Sequence, residues 1–192
     1  MGTTQPIRSK TELKKFMDYY QTEQPSPRNY AMTILGLHTA LRISDILNLK
    51  WRDVYDFERR HFLTHLLVCE KKTGKQNVIA LNSHAKNALD RYRIQCSPKP
   101  ESFIFSKKAD PKLPICRSQA YRIIKKAASA TLYDTHISCH SLRKTFGYHA
   151  WKQGTPPVLL MDIFNHSSFE ITKRYLGIEQ DEKDSIFLKI DL

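Results

Sequence analysis

Six polar side chains sit in surroundings that suggest chemistry. Arg42 follows an apolar helical stretch in TALRISDILNLKW, with Asp45 three residues later. Lys72 lies in the segment KKTGK. His140 and Arg143 stand three apart in HISCHSLRKTFGYHAW, a spacing that puts both on one face of a helix. His166 lies in FNHSSFEITKRYLG, nine residues before Tyr175. A guanidinium is permanently charged and grips phosphate oxygens through a planar fork, so two of them suit a phosphate-directed site. Singly, each residue has a plainer explanation. Arg42 beside Asp45 reads as a structural ion pair. A His three residues before an Arg reads as a surface pair. Tyr175 reads as a core ring with its hydroxyl at the rim, and a hairpin lysine is ordinarily solvated.

These residues need elements to carry them. Ser9-Lys-Thr-Glu12 has the form of a capping box and predicts a helix to about Gln21. Pro25 and Pro27 end it, and a second helix is expected from Arg28 to Thr39, then a short third from Ser44 to Leu49. His61 to Glu70 and Gln76 to Leu81 read as strands joined by KKTGK, whose glycine suits a hairpin turn. Asn82 or Ser83 caps a helix to about Gln95. Ser102 to Ser106 is a short β-like piece. Helices follow at Ser118 to Leu132, His140 to Lys152, Pro156 to Phe164, Phe169 to Tyr175 and Glu179 to Ile190. The expected class is α+β, mostly α-helical with a small antiparallel sheet.

The chain has 192 residues and a net charge of +12, with 41% hydrophobic and 26% charged residues. Such a composition is that of a globular chain large enough to bury a core without disulfides. The charge is uneven: residues 1–60 carry a net +3, residues 61–152 a net +12 and residues 153–192 a net −3. A basic middle favours a polyanionic partner, nucleic acid before anionic membrane. The apolar stretch from Ile34 to Leu41 is too short to span a bilayer, and the polar MGTTQPIRSK has no secretory h-region. Cys69, Cys96, Cys116 and Cys139 form no C-x-x-C pair, so small core residues in a reducing cytoplasm are expected. His136 and His140 are four apart, but nothing at ligand spacing completes a metal site.

In this order and at these spacings the chain resembles the tyrosine recombinase, or phage-integrase, family. That pattern is an Arg in T-x-L-R-x-x-[DE]-[IL]-x-x-L, a β-hairpin Lys, an H-x-x-R box, and a His or Trp nine residues before a Tyr. Residues 8 to 178 carry it. The resemblance implies the family's catalytic-domain fold and six catalytic residues: Arg42, Lys72, His140, Arg143, His166 and Tyr175. Arg42 and Arg143 would clamp the phosphate and His166 would donate a further hydrogen bond. Tyr175 would attack phosphorus and His140 would accept its proton. Lys72, with Lys75 as the alternative, would protonate the leaving 5′ hydroxyl. Asp45 would orient Arg42. A 3′-phosphotyrosyl intermediate keeps the bond energy, so no cofactor or metal is expected. Asn165 departs from the usual Gly before the His, and Asp45 from the commoner Glu.

The resemblance implies a site-specific recombinase acting as a tetramer on two DNA duplexes. Lys75, Lys107, Lys108, Lys112, Arg117, Arg122, Lys125 and Lys126 are candidate DNA contacts, and the helix from Ser118 is a candidate for the major groove. Only about 40 residues precede Arg42, so the chain is expected to be either a fragment or a short recombinase resembling the fimbrial phase-switch invertases, which lack the N-terminal core-binding domain. Residues 1–178 are expected to form the catalytic domain and residues 179–192 a tail that docks on a neighbouring protomer. The rival readings are a type IB topoisomerase-like enzyme and a non-catalytic DNA-binding regulator.

Overall fold

The computed structural model describes residues 4–69, 74–132, 136–176 and 187–189. Side-chain caps set the helix starts. Ser9 Oγ accepts the Glu12 N–H at 3.3 Å and opens α1 (Lys10–Thr22). Ser26 caps α2 (Pro27–His38), which has proline at its first position. The expected third helix shrinks to one turn, α3 (Ile43–Ile46), followed by a 3₁₀ turn at Trp51–Asp53. Asn82 Oδ1 accepts from the Ala85 N–H at 3.0 Å and starts α4 (Ser83–Cys96). Then come α5 (Arg117–Thr131), α6 (Cys139–Lys152), α7 (Pro157–Ile163) and α8 (Phe169–Leu176). No described helix is long and apolar enough to cross a membrane.

The expected strand from His61 to Glu70 is split. Its first part, β2 (His61–Phe62), pairs antiparallel with β1 (Tyr55–Asp56). Its second, β3 (His65–Cys69), pairs antiparallel with β4 (Gln76–Ala80) in the register Leu67↔Val78 and Cys69↔Gln76. The partner changes between them: the Leu63 N–H still donates to the Val54 carbonyl, while the Thr64 carbonyl already accepts from Leu81 N–H, both at 2.9 Å. The piece from Ser102 to Ser106 stays irregular and makes two isolated bridges, Lys50↔Phe103 and Ser106↔Pro114. The expected final helix lies mostly outside the described residues.

The main core is built on α2, buried continuously from Ala31 to Leu37 and packed on α1, α4 and α6. Gly36 lets α6 close in, because a Cβ there would stand 2.5 Å from Leu142 Cδ1. A smaller second core holds Ala40, Leu160, Phe164, Tyr175 and Leu176, with Phe146, Ala150 and Trp151 against it. Helix α6 lies between the two. Its Leu142 fills the main core and its Gly147 faces the second, where a Cβ would meet Phe164 Cζ at 2.6 Å.

Candidate active site

The site is assembled where α6 meets the second core. Ser138 Oγ accepts from the His140 N–H at 3.3 Å, and Ser141 Oγ accepts from the Ser138 N–H at 3.1 Å. This paired cap fixes the first turn of α6, from which His140 projects. Three residues on, Arg143 is 2% exposed. Its guanidinium donates to the Ala40 carbonyl and, at 2.7 Å, to the Phe164 carbonyl, and lies 4.9 Å from the Phe164 ring centre. A buried charge needs such partners. Arg42 is half-buried at the N-cap of α3, with extended backbone, and its carbonyl accepts from Asp45 N–H at 2.9 Å. Asp45 itself is buried.

Tyr175, on α8, points back at α6. Its hydroxyl lies 3.3 Å from His140 Nδ1. The two rings meet edge to face with centroids 5.0 Å apart. His166 flanks the same phenol at 4.7 Å between centroids and is held through Nδ1 by Thr172 Oγ1 at 3.0 Å. Phe164 closes the box at 5.0 Å. Arg42, His140 and Arg143 also line one open groove of about 1060 Å³, with Arg117, Ser118, Tyr121 and Arg122 of α5 on its other wall.

The electrostatics follow from this crowding. His140 has an exposed edge, but its ring packs against protein and stands among cations. Desolvation first, then Lys144, Arg143, Arg42 and His166, push its pKa down to about 4. It is therefore neutral at physiological pH and can accept a proton. Burial raises the Tyr175 pKa, while Arg143 and Arg42 pull it the other way. A phenol beside a neutral imidazole and two guanidiniums has the arrangement that a nucleophile–base pair in an anion-binding site requires.

Five of the six expected residues thus share one site. Lys72 lies outside the described residues. The β3–β4 pair is linked to the site, since Asn165 Nδ2 donates to Asn77 Oδ1 of β4 at 3.4 Å. Asn165 has φ 49°, a left-handed conformation that glycine adopts freely and asparagine tolerates, which explains its place before His166. Of the candidate DNA contacts, Arg117 and Arg122 join the groove. Lys126 is exposed and Lys125 half-buried further along α5, and Lys75 is exposed ahead of β4. Lys107, Lys108 and Lys112 line a different cavity of about 780 Å³ beside Trp51 and Phe103. Sequence reasoning missed Lys144 and Tyr121. The spacing rule that paired His140 with Arg143 also reaches Lys144, four residues from His140.

The sequence matches the phage integrase family over residues 8–182. The chain belongs to that family, and its fold is the tyrosine recombinase catalytic domain. It is 38% identical over 181 residues to the probable integrase/recombinase YoeC of Bacillus subtilis, covering 94% of this chain and 93% of that one. It is 27% identical over 155 residues to the type 1 fimbriae regulatory protein FimE of Escherichia coli, covering 77% and 73%. The crystal structure of XerA recombinase superposes with a TM-score of 0.77 at 18% identity, over 100% of this chain and 68% of that one. The chain spans between 49% and 60% of several longer tyrosine recombinases that it matches.

Proposed function

We propose that the chain is a site-specific recombinase that breaks and rejoins DNA through a phosphotyrosine at Tyr175. One observation carries this reading: the Tyr175 hydroxyl stands 3.3 Å from His140 Nδ1, inside a site shared by two arginines. In the proposed cleavage the Tyr175 oxygen attacks phosphorus and gives its proton to His140. Arg42, Arg143 and His166 stabilise the charge that builds on the nonbridging oxygens. The bond from phosphorus to the 5′ oxygen breaks, and Lys72 supplies the proton that oxygen needs, Lys75 being the alternative donor. A 5′ hydroxyl from a second strand reverses each step and releases Tyr175. Double-stranded DNA would lie along the groove, with Arg117, Arg122, Lys125 and Lys126 of α5 beside it and Lys75 on the hairpin.

The working assembly in this reading is a tetramer on two duplexes in the cytoplasm. Residues 1–178 form the catalytic domain, and the tail 179–192 docks on a neighbour. The His140–Tyr175 contact supports an enzyme over a DNA-binding regulator, and family membership supports a recombinase over a topoisomerase. A nicked suicide substrate carrying the cognate site should trap a covalent protein–DNA adduct in the presence of EDTA. The Tyr175→Phe variant should give none. An undiminished adduct with that variant, or none with the unaltered chain, overturns the proposal.

A further inference from the structure

We propose that Lys144 is a positioning residue of this site, held by the N-terminal arm so that its ammonium flanks both His140 and Tyr175. The proposal rests on the reading of Tyr175 as nucleophile and His140 as its base. Lys144 Nζ donates to the Thr4 carbonyl at 2.6 Å and lies 5.5 Å from the centre of the Tyr175 ring. One helical turn separates it from His140, so the two share a face of α6. The residue is half-buried, and the Thr4 carbonyl holds its head group.

The arm that presents Thr4 is itself tied to α6. The Ile7 N–H donates to Thr145 Oγ1 at 2.9 Å, and His149 Nε2 lies 2.9 Å from the Ile7 carbonyl. Ile7 is 3% exposed and belongs to the main core, so the strap is anchored. A carbonyl fixed in this way holds the ammonium at a set point beside the phenol.

The consequence is chemical. A fixed cation next to His140 disfavours a second positive charge on the imidazole. His140 therefore keeps its Nδ1 lone pair for the Tyr175 proton. Among the charges acting on His140, that of Lys144 is the largest, ahead of Arg143, Arg42 and His166. The other charged groups facing the shared groove are Arg117 and Arg122 of α5. In the proposed reaction Arg42 and Arg143 meet the phosphate, whose negative charge offsets theirs, so Lys144 is the cation left to hold His140 neutral once DNA has arrived. The described part of the N-terminal arm thereby becomes active-site support that acts through Lys144.

The test is the pH dependence of single-turnover cleavage of the suicide substrate by the full chain. In Lys144→Met the acidic limb should move up by about one pH unit, as expected for removing one charge at this range in a partly solvated site. Lys144→Arg should restore the limb. The loss should be largest at low pH and shrink as pH rises. An NMR titration of the His140 ring in each variant gives the same shift independently of turnover. An unmoved limb and an unmoved ring titration overturn the proposal, as does a loss equal at every pH. Should the unaltered chain form no adduct, it is the function proposed above that fails, and the ring titration still decides the part played by Lys144.

Discussion

Arg143 is expected to be a structural residue as much as a phosphate ligand, and its removal separates it from Arg42. Its side chain is 2% exposed and its guanidinium donates to two main-chain carbonyls, those of Ala40 and Phe164. A hydrogen bond from a charged donor contributes about 1.5–3 kcal/mol, and an orphaned buried acceptor costs about 1–3 kcal/mol. Arg143→Ala deletes two such bonds and leaves both carbonyls without that donor. Water entering the vacated space offsets part of the loss, so the net destabilisation is about 3–5 kcal/mol. For a chain of this size that lowers Tm by about 10 °C. Arg42 is half-buried, whereas Arg143 is almost wholly buried. Arg42→Ala should lower Tm by less than half as much, while both variants lose adduct formation by about a thousandfold or more. Thermal unfolding beside suicide-substrate cleavage checks this. If Arg143→Ala melts within two or so degrees of the unaltered chain (about 1 kcal/mol or less on the same scale), the carbonyl cradle does not hold the fold, and the reasoning fails.

Two further outcomes follow from the same packing. His140 has its folded pKa lowered to about 4 from an ordinary value of about 6.5, so between those values the unfolded chain binds the extra proton. Stability from this group is present above pH 6.5 and is lost as pH falls toward 4; His140→Phe should flatten the slope of Tm against pH in that window, and an unchanged slope refutes it. At Gly147 a Cβ would approach Phe164 Cζ to 2.6 Å and Leu176 Cδ2 to 3.1 Å. Gly147→Ala should therefore cost about 1–3 kcal/mol by overpacking. It should also slow cleavage, because Phe164 bears both the Arg143 carbonyl contact and one wall of the Tyr175 box. Wild-type stability and cleavage together would show that the second core yields without cost.

The parts of the site that were legible in the sequence are those set by short-range spacing. Ser9 with Glu12, Asn82 before α4, and His140 with Arg143 all declare themselves within one helical turn, and each is realised. The family pattern supplied the long-range grouping of Arg42 with Arg143, which no local rule contains. What the sequence hid depends on distant backbone. The Ala40 carbonyl lies 103 residues from the arginine that it anchors, and Thr4 lies 140 residues from Lys144. The split of the expected strand at Leu63 was hidden too, because β-propensity runs through a position where the pairing partner changes. Lys107, Lys108 and Lys112 look like groove residues by charge alone, yet the irregular segment around them turns toward Trp51 and another cavity.

The carbonyls that hold Arg143 share a further property. Ala40 has φ 56°, and Phe164 is followed directly by Asn165 at φ 49°. Both acceptors thus sit where the chain makes a left-handed step, just after α2 and just after α7. Such a step costs a non-glycine residue about 1–2 kcal/mol. It persists where surrounding contacts over-determine it. At Ala40 those contacts are the Arg143 donor and the second core in which Ala40 is buried. The strain and the arginine are therefore coupled: the left-handed turn at Ala40 delivers the chain to Arg42 at the head of α3, while its carbonyl fixes Arg143. One backbone kink sets the positions of both guanidiniums, which is how a pair separated by a hundred residues in sequence comes to face a single phenol.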